Sequence, residues 1–104
     1  MQYVVYRTKG KNPDFPLMVD ITSDIIGRIN RRLVIPLMPS ERLNGSPIPK
    51  RLTPVLSLNG AEYVLMTHEA ATVPHTALGE EFCNASYCKG VIKSAFNFLT
   101  DGID

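Results

Sequence analysis

Hydrophobic and polar positions alternate along the first two thirds of the chain, and a different period takes over near its end. Residues 2–8, 16–22, 31–37, 52–58 and 61–67 are rich in β-branched and aromatic side chains, the composition of strands. Within 16–22, Leu17, Val19 and Ile21 fall on one face, with Asp20 and Thr22 on the other. Leu33, Ile35 and Leu37 alternate in the same way with Arg32. Such patterns predict antiparallel strands with one face on a core and one in water. Asn59-Gly60 supplies the positive φ angles of a two-residue turn, so 52–67 reads as a hairpin. Pro36 and Pro54 interrupt strand patterns and are expected at edges or bulges. Residues 38–50, with three prolines and Asn44-Gly45, read as an irregular excursion.

After residue 85 the apolar positions move to helical spacing. Val91, Ile92, Ala95, Phe96 and Leu99 form a two-row stripe, Ser86 stands where an N-cap is expected, and Gly102 follows the last periodic position. Five strands and one helix predict a mostly-β, antiparallel barrel whose open face the C-terminal α-helix covers. No repeat or linker divides residues 1–104, so one domain is expected.

Composition narrows the chemistry. An apolar fraction of 44% with a net charge of +1 excludes disorder and argues against bulk electrostatic binding of nucleic acid. No run is long enough for a membrane span, and the first residues read as a strand rather than a signal peptide; no membrane association and a cytoplasmic location are expected. Charge is uneven: residues 1–51 carry nine basic and four acidic groups, and residues 52–104 two basic and six acidic. Either this is ordinary surface charge, or an acidic C-terminal face meets a basic partner.

Cys83 and Cys88 are too few for a disulfide framework and read as free thiols. With His68 and His75 as the only histidines, neither at helical spacing from a cysteine, no metal is expected, nor any other cofactor. His68 and Glu69 could form an acid–base pair, but neighbours on an extended segment point to opposite faces. His75, after Pro74, reads as a solvated loop side chain. There is no phosphate-cradling glycine loop and no nucleophile elbow. A binding module is expected more readily than an enzyme.

An ordered set of short motifs carries a resemblance. Met1-Gln2-Tyr3 with Val5-Tyr6, Val19-Asp20-Ile21 with Ser23-Asp24-Ile25-Ile26, and Arg31-Arg32-Leu33-Val34-Ile35-Pro36-Leu37 occur in sequence. They are followed by Gly79-Glu80-Glu81, Ile92-Lys93, Ala95-Phe96-Asn97 and Gly102-Ile103. Together they resemble the CcdB toxins of bacterial toxin–antitoxin modules along nearly the whole chain. The resemblance implies an SH3-like small barrel with a C-terminal helix, a homodimer, and no enzymatic activity of its own. It implies binding to the DNA gyrase A subunit, trapping of the gyrase–DNA cleavage complex, and neutralisation by a CcdA-like antitoxin. Operator DNA would be bound only by toxin and antitoxin together, repressing their own transcription.

Carried over residue by residue, the resemblance implies a gyrase-binding set of Ile25, Ile26, Asn97, Asp101, Gly102 and Ile103. One position departs from the pattern: Asp101 stands where a member of the family carries a Trp before Gly-Ile, with Asp104 extending the chain. A Trp stacks on guanidinium planes, whereas an Asp accepts bidentate hydrogen bonds from them. The expectation is charge in place of an aromatic face.

Two rivals follow. A toxin of the same barrel architecture that cleaves messenger RNA could recruit Arg31, Arg32 and His68 to an acid–base site. A binding module that lost gyrase poisoning through Asp101 is the other.

Overall fold

A computed structural model describes residues 1–23, 30–43, 45 and 48–102. Ile25, Ile26, Ile103 and Asp104 lie outside these described residues.

All five expected strands form, four with narrower bounds and the third extended through Pro39 into the expected excursion: β1 (Val4–Thr8), β2 (Leu17–Asp20), β3 (Arg31–Pro39), β4 (Val55–Leu58) and β5 (Ala61–Leu65). Two more follow, β6 (Ala71–Pro74) and β7 (Leu78–Asn84), before the helix α1 (Lys89–Asp101). Every pairing is antiparallel, in the order β4-β5-β3-β2-β1-β7, with β6 also on β3. The sheet curls into a half-barrel and α1 closes it: Ile92 and Ala95 join Val5, Leu17, Val19, Ile35, Leu37, Leu56, Leu58 and Leu65 in one buried cluster. This is the mostly-β fold with one C-terminal helix that the patterning predicts.

The hairpin turns at Asn59 (φ 49°) and Gly60 (φ 83°), pairing Leu58 with Ala61. Those left-handed angles twist the two residues to match the strands they join. Pro54 precedes β4, at the sheet edge. Pro36 does not lie on an edge or a bulge. It sits inside β3, where β6 pairs with residues 31–34 and β5 with 37–39. Its carbonyl accepts from Met66 N–H (3.0 Å), so the side lacking a donor faces the breach between the two partners, where no ladder bond is lost.

β6 and β7 were illegible for different reasons. β6 is four residues ending in Pro74. β7 lacks clean alternation because its register against β1 shifts twice, after Val5 and after Tyr6. Gly79 stands at one of these irregularities, and a Cβ there would come within 2.6 Å of the Arg7 carbonyl oxygen. Only glycine permits that approach.

The expected wet face of β2 is absent. All four of its residues are buried, Asp20 completely, and Thr22 just beyond it is buried as well. Arg32 Nε lies 2.8 Å from Asp20 Oδ2, the Met1 ammonium 3.3 Å from the same oxygen, and Thr22 N–H donates to Oδ1 (2.9 Å). A carboxylate with three such partners can leave water, which a hydropathy pattern does not reveal.

Candidate docking site at the end of the C-terminal helix

α1 begins at Lys89 rather than from a Ser86 cap. Ser86–Cys88 form a 3-10 turn, Cys88 occupies the N-cap position without a side-chain bond, and Asn84 Oδ1 accepts from Ser86 N–H (2.9 Å). Asn84 thus holds the entry turn, the role expected of Ser86. The apolar stripe is narrower than its sequence suggests. Ile92 and Ala95 are buried and Phe96 half-buried, whereas Val91 and Leu99 are exposed at 46% and 39%.

Beside the buried row runs an exposed ridge of Lys93, Asn97 and Asp101, one helical turn apart. The helix ends at Gly102, whose φ of 75° is left-handed and whose N–H donates to the Phe98 carbonyl (2.8 Å). This is the C-cap expected of a glycine there, and it satisfies one of the final carbonyls. Thr100 Oγ1 donates to the Asn97 carbonyl (3.0 Å), within the same last turn.

A cleft of about 200 Å³ opens along the ridge, lined by Tyr3, Ile21, Leu33, Phe96 and Asn97, with Ile92 and Lys93 completing it. Tyr3 enters it from a left-handed backbone (φ 66°), rare for an aromatic residue. Its carbonyl takes the Ala85 N–H (2.8 Å), fixing the segment between β1 and the turn before α1.

The structure therefore brings Asn97, Asp101 and Gly102 together on one helix end. Ile25, Ile26 and Ile103 lie outside the described residues. Tyr3, Leu33 and Lys93 share the cleft and are not among the expected site residues; all three stand in the motifs that carry the resemblance, but nothing in spacing joins Tyr3 and Leu33 to the helix.

The electrostatics of this end run against the helix's own preference. The last turn carries no basic residue and Asp101 adds a negative charge to the negative pole of the peptide dipoles. A cation brought by a partner would be stabilised by both.

Among the described residues no three His, Cys, Asp or Glu side chains are grouped to hold a metal ion. His68 and Glu69 do not point apart as expected. They lie on a 3-10 turn, Thr67–Glu69, and not on an extended segment, and Nε2 stands 3.8 Å from Oε2. That distance is too long for a hydrogen bond. His75 is exposed, as a solvated side chain should be, and its Nδ1 also lies 3.1 Å from the Asn30 carbonyl oxygen. Cys83 and Cys88 are free and half-buried, and burial pushes both thiols up from their ordinary range. Raised thiols are poor nucleophiles at neutral pH.

The sequence matches the family model described as CcdB protein over residues 2–102. The chain belongs to the CcdB family. It is accordingly a toxin of a toxin–antitoxin module, and an antitoxin is its partner. No helix among the described residues is long and apolar enough to cross a membrane. Within this CcdB chain, the motif Gly79-Glu80-Glu81 has a structural reason, the tight approach of Gly79 to Arg7.

Proposed function

We propose that this toxin poisons DNA gyrase by docking the C-terminal end of α1 onto the gyrase A subunit, holding the gyrase–DNA cleavage complex without making or breaking a bond itself. The supporting observation is the doubly negative helix end, with Asp101 exposed on the ridge beside Asn97 and Gly102. Ile103, which follows Gly102, and Ile25-Ile26 complete the proposed contact set. A basic site on gyrase would meet Asp101 through a guanidinium, where a Trp at that position would meet it by stacking. In the same reading residues 1–104 act as one unit in the cytoplasm, as a homodimer that presents two helix ends to a two-fold target. A CcdA-like antitoxin neutralises it, and operator DNA is bound only by the two proteins together.

Affinity for the gyrase A fragment, measured at low and high salt for the parent and for Asp101→Asn, tests the charge model. The parent's affinity falls as salt rises, and Asp101→Asn binds more weakly with a shallower salt dependence. Equal affinity in all four conditions refutes it.

A further inference from the structure

The first four residues close a turn whose outer end is held by charge. Val4 N–H donates to the Met1 carbonyl (3.1 Å), and Tyr3, third in that turn, takes the positive φ of 66° that such a position usually assigns to glycine. A strained backbone of this kind persists only where its surroundings fix it. Tyr3 is fixed on both sides, its N–H to the Asp20 carbonyl and its own carbonyl to the Ala85 N–H. Packing does little for Met1, whose side chain is 71% exposed. Its anchor is the α-ammonium, which lies 3.3 Å from Asp20 Oδ2 and 3.2 Å from the Tyr6 hydroxyl oxygen.

Asp20 is fully buried, and its Oδ2 is shared by that ammonium and by Arg32 Nε (2.8 Å). Gln2 Nε2 donates to the Ile21 carbonyl (3.3 Å), so the chain next to Met1 is tied to the end of β2 and the amine stays over Asp20. Two acceptors within reach use two of the three N–H bonds of an ammonium. A formamide nitrogen has one N–H and no charge, and it brings a carbonyl oxygen of its own. It can serve Asp20 or Tyr6 but not both, with a bond about half as strong as a charge-assisted one. Acetylation removes the same charge.

We propose that the α-amine of Met1 is a modification site whose state governs this fold. The chain reaches full stability, with Tyr3 seated in the cleft beside α1, only after the formyl group left by bacterial initiation has been removed. The reaction that must come first is therefore hydrolysis of a formamide. Water attacks the formyl carbon, the C–N bond breaks and formate departs. Both hydrogens of the water end on the nitrogen, which becomes the ammonium that Asp20 holds.

The test compares the full chain with a free α-amine, with Nα-formyl from cell-free synthesis under a deformylase inhibitor, and with Nα-acetyl from an N-terminal acetyltransferase. In urea unfolding either group should raise the unfolded-to-folded ratio about ten-fold, because the two differ in bulk and agree in charge. The Tyr3 and Thr22 amide signals should move in the same samples. Purified deformylase should release formate from the formylated chain and restore both readouts, which keeps the test intact if that chain does not fold. In Asp20→Asn the formyl group should change the ratio by less than about two-fold, since its charged partner is gone. An unchanged unfolding midpoint on formylation, an acetyl effect without a formyl effect, or an equal effect in Asp20→Asn would overturn the proposal. So would residues ahead of Met1 in the chain isolated from its own cells, which would leave no ammonium beside Asp20.

Discussion

Asp20 is the residue on which the interior depends most. It is fully buried and holds Arg32, the Met1 ammonium and the Thr22 N–H at once. Asp20→Ala leaves the Arg32 guanidinium buried without its counter-charge, and a loss of about 3–5 kcal/mol is expected in urea unfolding. A loss below about 1 kcal/mol would mean that water replaces the carboxylate, contrary to this account. Gly79→Ala forces a methyl against the Arg7 carbonyl, and the β1–β7 pairing must shift to admit it. The expected cost is about 1–3 kcal/mol, read as a lowered thermal midpoint. Sequence patterning placed Asp20 in water because periodicity counts residue types and is blind to ion pairs between β2 and β3. It held at Asn59-Gly60, where the requirement is local to two residues.

Among the elements, α1 is the one that joins core to site. Ile92→Ala empties a fully buried position in the central cluster and should cost about 2–5 kcal/mol by denaturant titration. The same helix is poorly served at both poles, with Lys89 in its first turn, no side-chain cap at Cys88, and Asp101 in its last. Asp101→Asn relieves the far end and should stabilise the chain by about 0.3–1 kcal/mol while weakening gyrase binding. A variant that loses stability and affinity together would instead make Asp101 a structural residue. The position of α1 was legible from its 3.6-residue period. Its start was not, because Asn84 acts through a 3-10 turn that precedes the helix. β7 escaped notice because its bulges break the alternation by which strands are recognised, and the cleft beside Asn97 arises only when Tyr3 and Leu33 are brought to α1 by the curl of the sheet.

At the scale of the whole molecule, a half-barrel closed by one helix leaves two unlike surfaces flanking that helix: a negative helix end beside the Tyr3–Asn97 cleft, and the Val91 face, where Arg51 lies over the Phe98 ring (5.3 Å). Neither carries a nucleophile. The two thiols, one on β7 and one in the turn before α1, are half-buried with their pKa raised by burial, so their alkylation by iodoacetamide at neutral pH should run slower than that of free cysteine. The sign for stability follows: the raised folded values favour the neutral thiols, a contribution present below the unfolded thiol pKa and lost as pH rises through the folded values. Weaker stability is therefore expected on the alkaline side, and Cys83→Ala with Cys88→Ala should reduce that dependence, leaving the part carried by Tyr87, whose hydroxyl burial also pushes up. The central claim, a toxin that acts by docking, is tested most directly with purified gyrase and plasmid DNA. The parent should accumulate protein-linked double-strand breaks that require gyrase, and Asp101→Lys, folded and equally concentrated, should not. Undiminished breaks with Asp101→Lys, or RNA cleavage by the parent without gyrase, would contradict it.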